Sequence, residues 1–269
     1  MALRSVTPWN DTATPSLSSL IQFRREARER FLAGRKAETQ YANRLRQVAK
    51  QIDVIVRGIA PDGILSDATL LRGLLERYAE ILTPWGEIVA ERMIADVSKR
   101  DAAAWAAHGR LISQGLRKEI EGAPIGIAFQ RYKAEQVKAI RSIPLDAAER
   151  LHKLSIEAFT GGKRASEVAQ QILESGNVAR SHAMMLARTG VSGTATALTR
   201  ARAEFVGSDG YIWRTARDGD VRKSHREMEG RFVPWNDPPT LDGFKGHCGE
   251  FANCRCFPEV VLPERRARA

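Results

Sequence analysis

The feature that most constrains the fold is a helical periodicity in the early part of the chain. Between about Leu20 and Val56 there is no proline and a single glycine, and apolar residues recur near three- and four-residue spacing. The residues between them are mostly Glu, Arg, Ala and Gln, which are good helix formers. This stretch therefore predicts one long helix.

Proline and glycine divide the residues that follow into shorter predicted helices. Pro61-Asp62-Gly63 predicts a turn, and Thr83-Pro84 and Pro144 predict helix ends because proline cannot donate a backbone hydrogen bond. Gly176 is expected to close another helix. Further breaks are expected at Gly122-Ala123-Pro124 and Thr160-Gly161-Gly162, and the predicted helices are 66–82, 85–116, 129–141, 146–159 and 166–173.

The next predicted helix, from about Val178 to Phe205, has a stripe of mostly small side chains. Small residues let a neighbouring backbone approach closely, so we expect this helix to be central and tightly packed. Its glycines lower helix propensity, which packing must offset. The stripe consists of Ala183, Leu186, Ala187, Gly190, Thr194, Ala197, Leu198 and Ala201.

After Gly210 the pattern changes to short strand-like segments. Aromatic and β-branched residues predict strands at Tyr211–Thr215 and Arg231–Val233. A third is expected at Cys256–Leu262, on a sheet edge because Pro258 cannot donate to a ladder. The predicted fold class is α+β, mainly α, with a long helical N-terminal body followed by a small loop-rich C-terminal unit and a short β-sheet. The predicted organisation is an extended arm (1–18), a helical body (19–176), a C-terminal module (177–262) and a disordered tail (263–269).

The chain is basic, with a net charge of +10 and a pI near 9.9. A positive field favours polyanionic partners, usually nucleic acid, although a basic solvated surface without a partner has the same composition. Residues 1–60 hold 11 Lys/Arg against 5 Asp/Glu, with the excess between Arg24 and Lys50. This segment is the candidate for non-specific binding of double-stranded DNA. The candidate residues are Arg24, Arg25, Arg28, Arg30, Arg35 and Lys36.

The chain has no sign of export or membrane insertion. No apolar run approaches the roughly 20 residues that span a bilayer, and the N-terminus lacks the pattern of a signal peptide. The three cysteines lie within nine residues of one another, a poor disulfide framework that suits a reducing compartment. We expect a soluble protein made in a cytoplasm, without a membrane partner.

The C-terminal unit has enough nitrogen and sulfur ligands for a structural zinc site. A small unit with little apolar material often needs a cross-link, and in a reducing compartment a metal can provide it. Cys-x-Cys points its thiols to opposite sides of an extended backbone, so a turn is needed to bring both together. In the alternative, the cysteines are small buried apolar residues and His225 is an ordinary hydrogen-bonded residue. The candidate ligands are His225, His247, Cys248, Cys254 and Cys256.

Several short motifs follow one another in this region: Ala187-Arg188-Thr189, Trp213, the Asp218-x-Asp220-x-Arg222-x-x-His225 element, Gly230, Asn253-Cys254-Arg255-Cys256 and Pro258. In this order, over about Ala187 to Pro258, they resemble the Mu F-like head morphogenesis family of tailed phages. Two departures stand out: Gly190 takes the place where the family usually has Glu, and Phe251-Ala252 that of a His-Pro pair. The second leaves the identity of any fourth metal ligand open.

The resemblance implies a minor component of the phage head that acts in procapsid assembly and DNA packaging. It implies contact with the portal protein, with major capsid or scaffold proteins and with DNA. The expected location is the virion, inside the head near the portal, after assembly in the host cytoplasm. The resemblance also implies a structural protein rather than an enzyme.

An enzymatic interpretation rests on the same motif. Carboxylates, a histidine and arginines together suit phosphodiester chemistry, so a metal-dependent nuclease or toxin-like enzyme that uses the His225 region is the alternative. Against it, Asp218 and Asp220 can cap a turn and pair with arginines. The chain also lacks the nucleotide-binding loop, the serine elbow and the His-Glu-x-x-His pair of common enzyme classes.

Overall fold

The computed structural model describes residues 17–65, 67–109, 124–160 and 164–262, without the side chains of residues 17–33, 106–109, 159 and 165. The first 16 residues of the predicted arm and the predicted tail (263–269) lie outside these ranges. The helices described are α1 (Leu17–Ile59), α2 (Ala68–Gly109), α3 (Gly126–Phe159), α4 (Ala165–Leu173), α5 (Ser175–Phe205) and α6 (Lys223–Arg226). The strands are β1 (Gly210–Arg214), β2 (Phe232–Pro234), β3 (Thr240–Leu241), β4 (Phe244–Lys245) and β5 (Phe257–Val261).

The predicted fold class is confirmed: a long helical part precedes a small unit with short antiparallel strands. The long helix expected over 20–56 is α1, and its apolar stripe, including Tyr41, Leu45 and Ile52, is buried. Within the described ranges, no helix combines the length and the apolar character needed to cross a membrane.

Two predicted helix ends, at Pro84 and Pro144, are wrong, because Pro84 lies inside α2 and Pro144 inside α3. A proline inside a helix removes one hydrogen bond and costs about 3 kcal/mol. The helical turns around both prolines are anchored in the core. Leu82 and Val89 are both buried around Pro84, and Ile143, next to Pro144, is fully buried. Tertiary packing therefore maintains each helix across the missing bond.

The predicted helix 166–173 ends at Leu173 as expected, but Gly176 does not close it. Gly176 lies in the first turn of α5, and Glu174 alone separates that helix from α4. A glycine inside a helix costs only about 1 kcal/mol. The neighbouring Ser175 and Ala179 are buried, so packing of this turn offsets that cost.

Helix α5 is central and tightly packed, as its small side chains predict. It contacts α1, α2 and α3, and Ala183 and Ala187 are fully buried in the helical core. Its C-terminal end contributes Ala203 to a second core, which also includes Trp105 from α2. The short helix α6 and the strands surround this second core, so the helical body and the C-terminal unit are joined through packed side chains.

Strand β1 is the centre of the three-stranded sheet, whose order is β2-β1-β5 with both pairings antiparallel. Tyr211 lies opposite Val233 of β2 and Val260 of β5. The expectation that the last strand lies at an edge is confirmed, since β5 pairs on one side only. A second, two-stranded sheet of β3 and β4 was not predicted.

Candidate functional site

The centre of the C-terminal unit is built on the inward face of β1. Tyr211 and Trp213 alternate with residues that face outward, and both are fully buried. The ring of Trp213 meets the edges of His225 at 5.5 Å and Phe251 at 6.1 Å between centroids. Aromatic side chains thus form the apolar wall against which His225 is placed.

His225, Cys254 and Cys256 converge behind this wall. Their ligand atoms all lie within 4.8 Å of one another, and the residues are 2%, 4% and 4% exposed. The Nδ1 atom of His225 is 3.5 Å from Sγ of Cys254 and 3.6 Å from Sγ of Cys256. Just before the pair, Asn253 adopts a left-handed conformation with φ 58°, and the amide of Cys254 donates to the Phe251 carbonyl at 2.9 Å, so a turn leads into Cys254.

The sulfur of Cys254 accepts backbone hydrogen bonds from two directions. The amide of Gly249 donates to it at 3.4 Å and the amide of Cys256 at 3.3 Å. A hydrogen bond from the Cys256 thiol, helped by His225 and these amides, lowers the pKa of Cys254 to about 5. The same hydrogen bond and burial raise the pKa of Cys256. The pocket therefore favours negative charge on one sulfur.

The other nitrogen of the His225 ring points to an acidic side chain. Nε2 is buried and has no hydrogen-bond partner among the described residues, and Oδ2 of Asp242 lies 3.9 Å away. The hydroxyl of Ser224 donates to the same oxygen at 3.0 Å, which orients the carboxylate. Asp242 was not among the predicted site residues.

A sequence signal for Asp242 was present. It precedes Gly243, and both residues have positive φ, 51° and 79°, in the two-residue turn between β3 and β4. Asp-Gly between short apolar segments is a strong hairpin signal. The turn was predictable, but its proximity to His225 depends on the tertiary fold.

His247 and Cys248 lie apart from this trio. The ring of His247 is held at both nitrogens, with Nδ1 3.2 Å from the Tyr211 hydroxyl and Nε2 3.1 Å from Nη1 of Arg200. Burial lowers the pKa of His247. The carbonyl of Cys248 accepts a hydrogen bond from Thr196 of α5 at 2.7 Å, and burial raises the pKa of its thiol. The five candidate ligands thus fall into two sets.

The remaining motif residues form contacts between segments. Arg188 of α5 pairs with Glu38 of α1 at 3.1 Å and donates to Asn253 at 3.3 Å. Thr189 accepts a hydrogen bond from the amide of Asn253 at 3.1 Å. The Ala-Arg-Thr element therefore anchors the turn that carries the cysteine pair to the helical body.

The acidic residues of the motif face an arginine. Arg255 pairs with Asp218 at 3.1 Å and with Asp220 at 2.7 Å. Arg222 donates to the carbonyl of Ala252 at 2.8 Å. Gly230, with φ 80°, donates its amide to the Trp213 carbonyl at 2.9 Å. These contacts connect the loops around β1 to one another.

Of the candidate DNA-binding residues, Arg35 and Lys36 are exposed on α1. The side chains of the other four, Arg24, Arg25, Arg28 and Arg30, lie outside the described part of the chain.

The fold and the cluster define a mainly helical protein with a small C-terminal unit closed around a histidine and two cysteines. Residues 149–258 match the family model described as Phage Mu protein F like protein. The matched segment runs from α3 to β5 and contains the whole cluster. The resemblance inferred from the sequence is therefore confirmed: this segment is similar to the Mu F-like family.

A curated relative is similar to about half of the chain. An uncharacterized protein of Haemophilus influenzae (strain ATCC 51907 / DSM 11121 / KW20 / Rd) is 33% identical over 129 residues. The aligned part covers 48% of this chain and 28% of the relative, so the chain spans little more than a quarter of that protein's length. No solved structure gives a significant match.

Proposed function

We propose that the protein is a minor structural component of a tailed-phage head that acts in procapsid assembly and DNA packaging. The match of residues 149–258 to the Mu F-like family is the observation that carries the proposal. Its location would be the inside of the head near the portal, with the portal protein and the major capsid or scaffold proteins as partners. The domain boundaries at 176 and 262 remain predictions.

The contacts of the motif residues support a structural role. Asp218 and Asp220 are paired with Arg255, and Arg188 is paired with Glu38. His225, at 2% exposure, is closed off from solvent by the unit it belongs to. Groups held in this way stabilise a fold, whereas the nuclease alternative needs a histidine and carboxylates that reach a phosphodiester.

Phage particles assembled without the protein test the proposed role. We expect a phage that lacks this gene to yield fewer DNA-filled heads in electron micrographs, with recovery when the gene is supplied in trans. Normal numbers of filled heads would contradict the role in assembly and packaging. Incubation of the purified protein with labelled DNA, RNA and divalent metals tests the alternative: cleavage that is lost in His225→Ala would favour the enzyme.

The proposed DNA contact lies on the basic part of α1. Arg35 and Lys36 are exposed there, and each phosphate contact adds about 0.9 to the slope of log affinity against log salt. Replacement of both by Glu should lower affinity for double-stranded DNA and reduce that slope by about 1 to 2. The matched control is Lys223→Glu with Arg226→Glu, an equal charge change at exposed positions of the C-terminal unit. Equal effects of the two pairs in a filter-binding titration would contradict a site on α1.

A further inference from the structure

We propose that His225, Cys254 and Cys256 bind one zinc ion, which closes the C-terminal unit. In a tetrahedral site with Zn–S of about 2.3 Å and Zn–N of about 2.0–2.1 Å, a nitrogen and a sulfur ligand are separated by about 3.5–3.6 Å. The two separations from Nδ1 of His225 are 3.5 and 3.6 Å. The spacing of these atoms is therefore that of ligands around a common centre.

Nδ1 of His225 lies close to both sulfurs, at 3.5 and 3.6 Å. A ring nitrogen has one lone pair in the plane of the ring, so Nδ1 can accept a hydrogen bond from only one of the two thiols. A zinc ion bound to that lone pair can bind both sulfurs as well. Two thiolates also neutralise the charge of Zn²⁺, which suits a site whose residues are at most 4% exposed.

The groups around His225, Cys254 and Cys256 are of the kind that hydrogen-bond to the ligands of a metal ion. Metal-binding histidines usually donate their second ring N–H to a carboxylate, which fixes the tautomer. Nε2 of His225, otherwise unpartnered, lies 3.9 Å from the carboxylate of Asp242, which Ser224 orients. The sulfur of Cys254 accepts two backbone amides, from Gly249 and Cys256.

The structure assigns the other two candidate ligands to different roles. Both ring nitrogens of His247 are engaged, by Tyr211 and Arg200. Cys248 does not belong to the group whose ligand atoms lie within 4.8 Å of one another. Cys248 is therefore a matched control: a buried cysteine of the same unit whose removal leaves the site intact.

Zinc would cross-link three segments that meet at the second core. His225 comes from α6, Cys254 from the loop after Asn253, and Cys256 immediately precedes β5. A metal that binds only the folded unit adds its binding free energy to folding. This inference does not depend on the proposed role in the phage head, since it concerns the stability of the unit alone.

Metal analysis of the full chain tests the proposal. We expect about one zinc per chain in protein purified from zinc-supplemented cells, and cobalt substitution should give thiolate charge-transfer bands with tetrahedral d–d bands. Cys254→Ala with Cys256→Ala should abolish both signals, and Cys248→Ala should keep them. Substoichiometric metal in folded wild-type protein, or an intact mass that shows a Cys254–Cys256 disulfide, would overturn the assignment. Loss of metal in Cys248→Ala would overturn the ligand set.

Asp242→Asn provides a second test in a protein that should remain folded. Asp242 is exposed, and asparagine tolerates its positive φ of 51°. Loss of an outer-shell partner weakens zinc binding by about 10–100-fold, measured by competition with a chromophoric chelator. Unchanged zinc affinity would contradict the placement of the ion on Nδ1 of His225.

Discussion

Replacement of Gly190 by alanine tests the close packing between α5 and α3. Gly190 is fully enclosed, and an added Cβ would lie 3.0 Å from Cδ of Gln136 and closer still to its Oε1. Gln136 is 7% exposed, and its Oε1 accepts a hydrogen bond from the Tyr41 hydroxyl of α1 at 3.1 Å. The new methyl group must therefore displace an amide that joins three helices.

The expected decrease in the free energy of unfolding of Gly190→Ala is the balance of two opposing effects. Displacement of the amide breaks a buried hydrogen bond and leaves its partners unsatisfied, which together with overpacking costs about 2–4 kcal/mol. Alanine recovers about 1 kcal/mol of helix propensity. We therefore expect Gly190→Ala to lower the free energy of unfolding by about 1–3 kcal/mol. Gly73→Ala, on an exposed face of α2 with nothing within 4 Å, should instead raise it by up to about 1 kcal/mol.

Urea denaturation of the single and double variants measures these changes. In a Gln136→Ala background the obstructing amide is gone, so Gly190→Ala should cost much less than in wild type. The double-mutant cycle should therefore give a coupling energy of about 1–3 kcal/mol. The reasoning is refuted if Gly190→Ala stabilises as much as Gly73→Ala, or if the two substitutions at 190 and 136 are additive.

Three further changes probe the C-terminal unit and its junction with the helices. Asp101→Ala removes the partner of Arg202; the two groups are paired at 2.7 Å, and their side chains are 8% (Asp101) and 6% (Arg202) exposed. The substitution should lower the free energy of unfolding in urea by about 3–5 kcal/mol. Burial lowers the pKa of His247 in the folded protein below its ordinary value of 6.5. As the pH falls through 6.5, the unfolded chain therefore binds more protons than the folded one, and the free energy of unfolding should fall by at most about 1.4 kcal/mol per pH unit. The decrease should be less steep in His247→Gln. Gly230→Ala forces a side chain to φ 80° and should lower the unfolding free energy by about 1–2 kcal/mol, whereas Gly219→Ala, with open space around it, should change it by less than about 0.5 kcal/mol.

The helical part shows what periodicity can and cannot predict. The stripe around Ala183 and Ala187 predicted a central helix, because small side chains on one face let a neighbouring backbone approach closely. The helix ends predicted at Pro84 and Pro144 were wrong because the free energy lost at a proline is smaller than the stabilisation from packing on either side of it. That packing depends on which helices become neighbours, and local sequence does not contain it.

The candidate site shows the same limit. Residue types and order identified the region and five candidate nitrogen and sulfur ligands, and three of these five converge. The separation of His225 from His247 could not be predicted, since it depends on Tyr211 and Arg200, which come from β1 and α5. Asp242 joins the site through a hairpin distant in sequence from the cysteines.

Quantitative mass spectrometry of purified procapsids and mature virions tests the proposed function most directly. Peptides from this chain are expected in both particles, in few copies relative to the major capsid protein and comparable to the portal protein. Particles that retain the portal protein but contain no peptide of this chain at either stage would contradict a role as a minor head component.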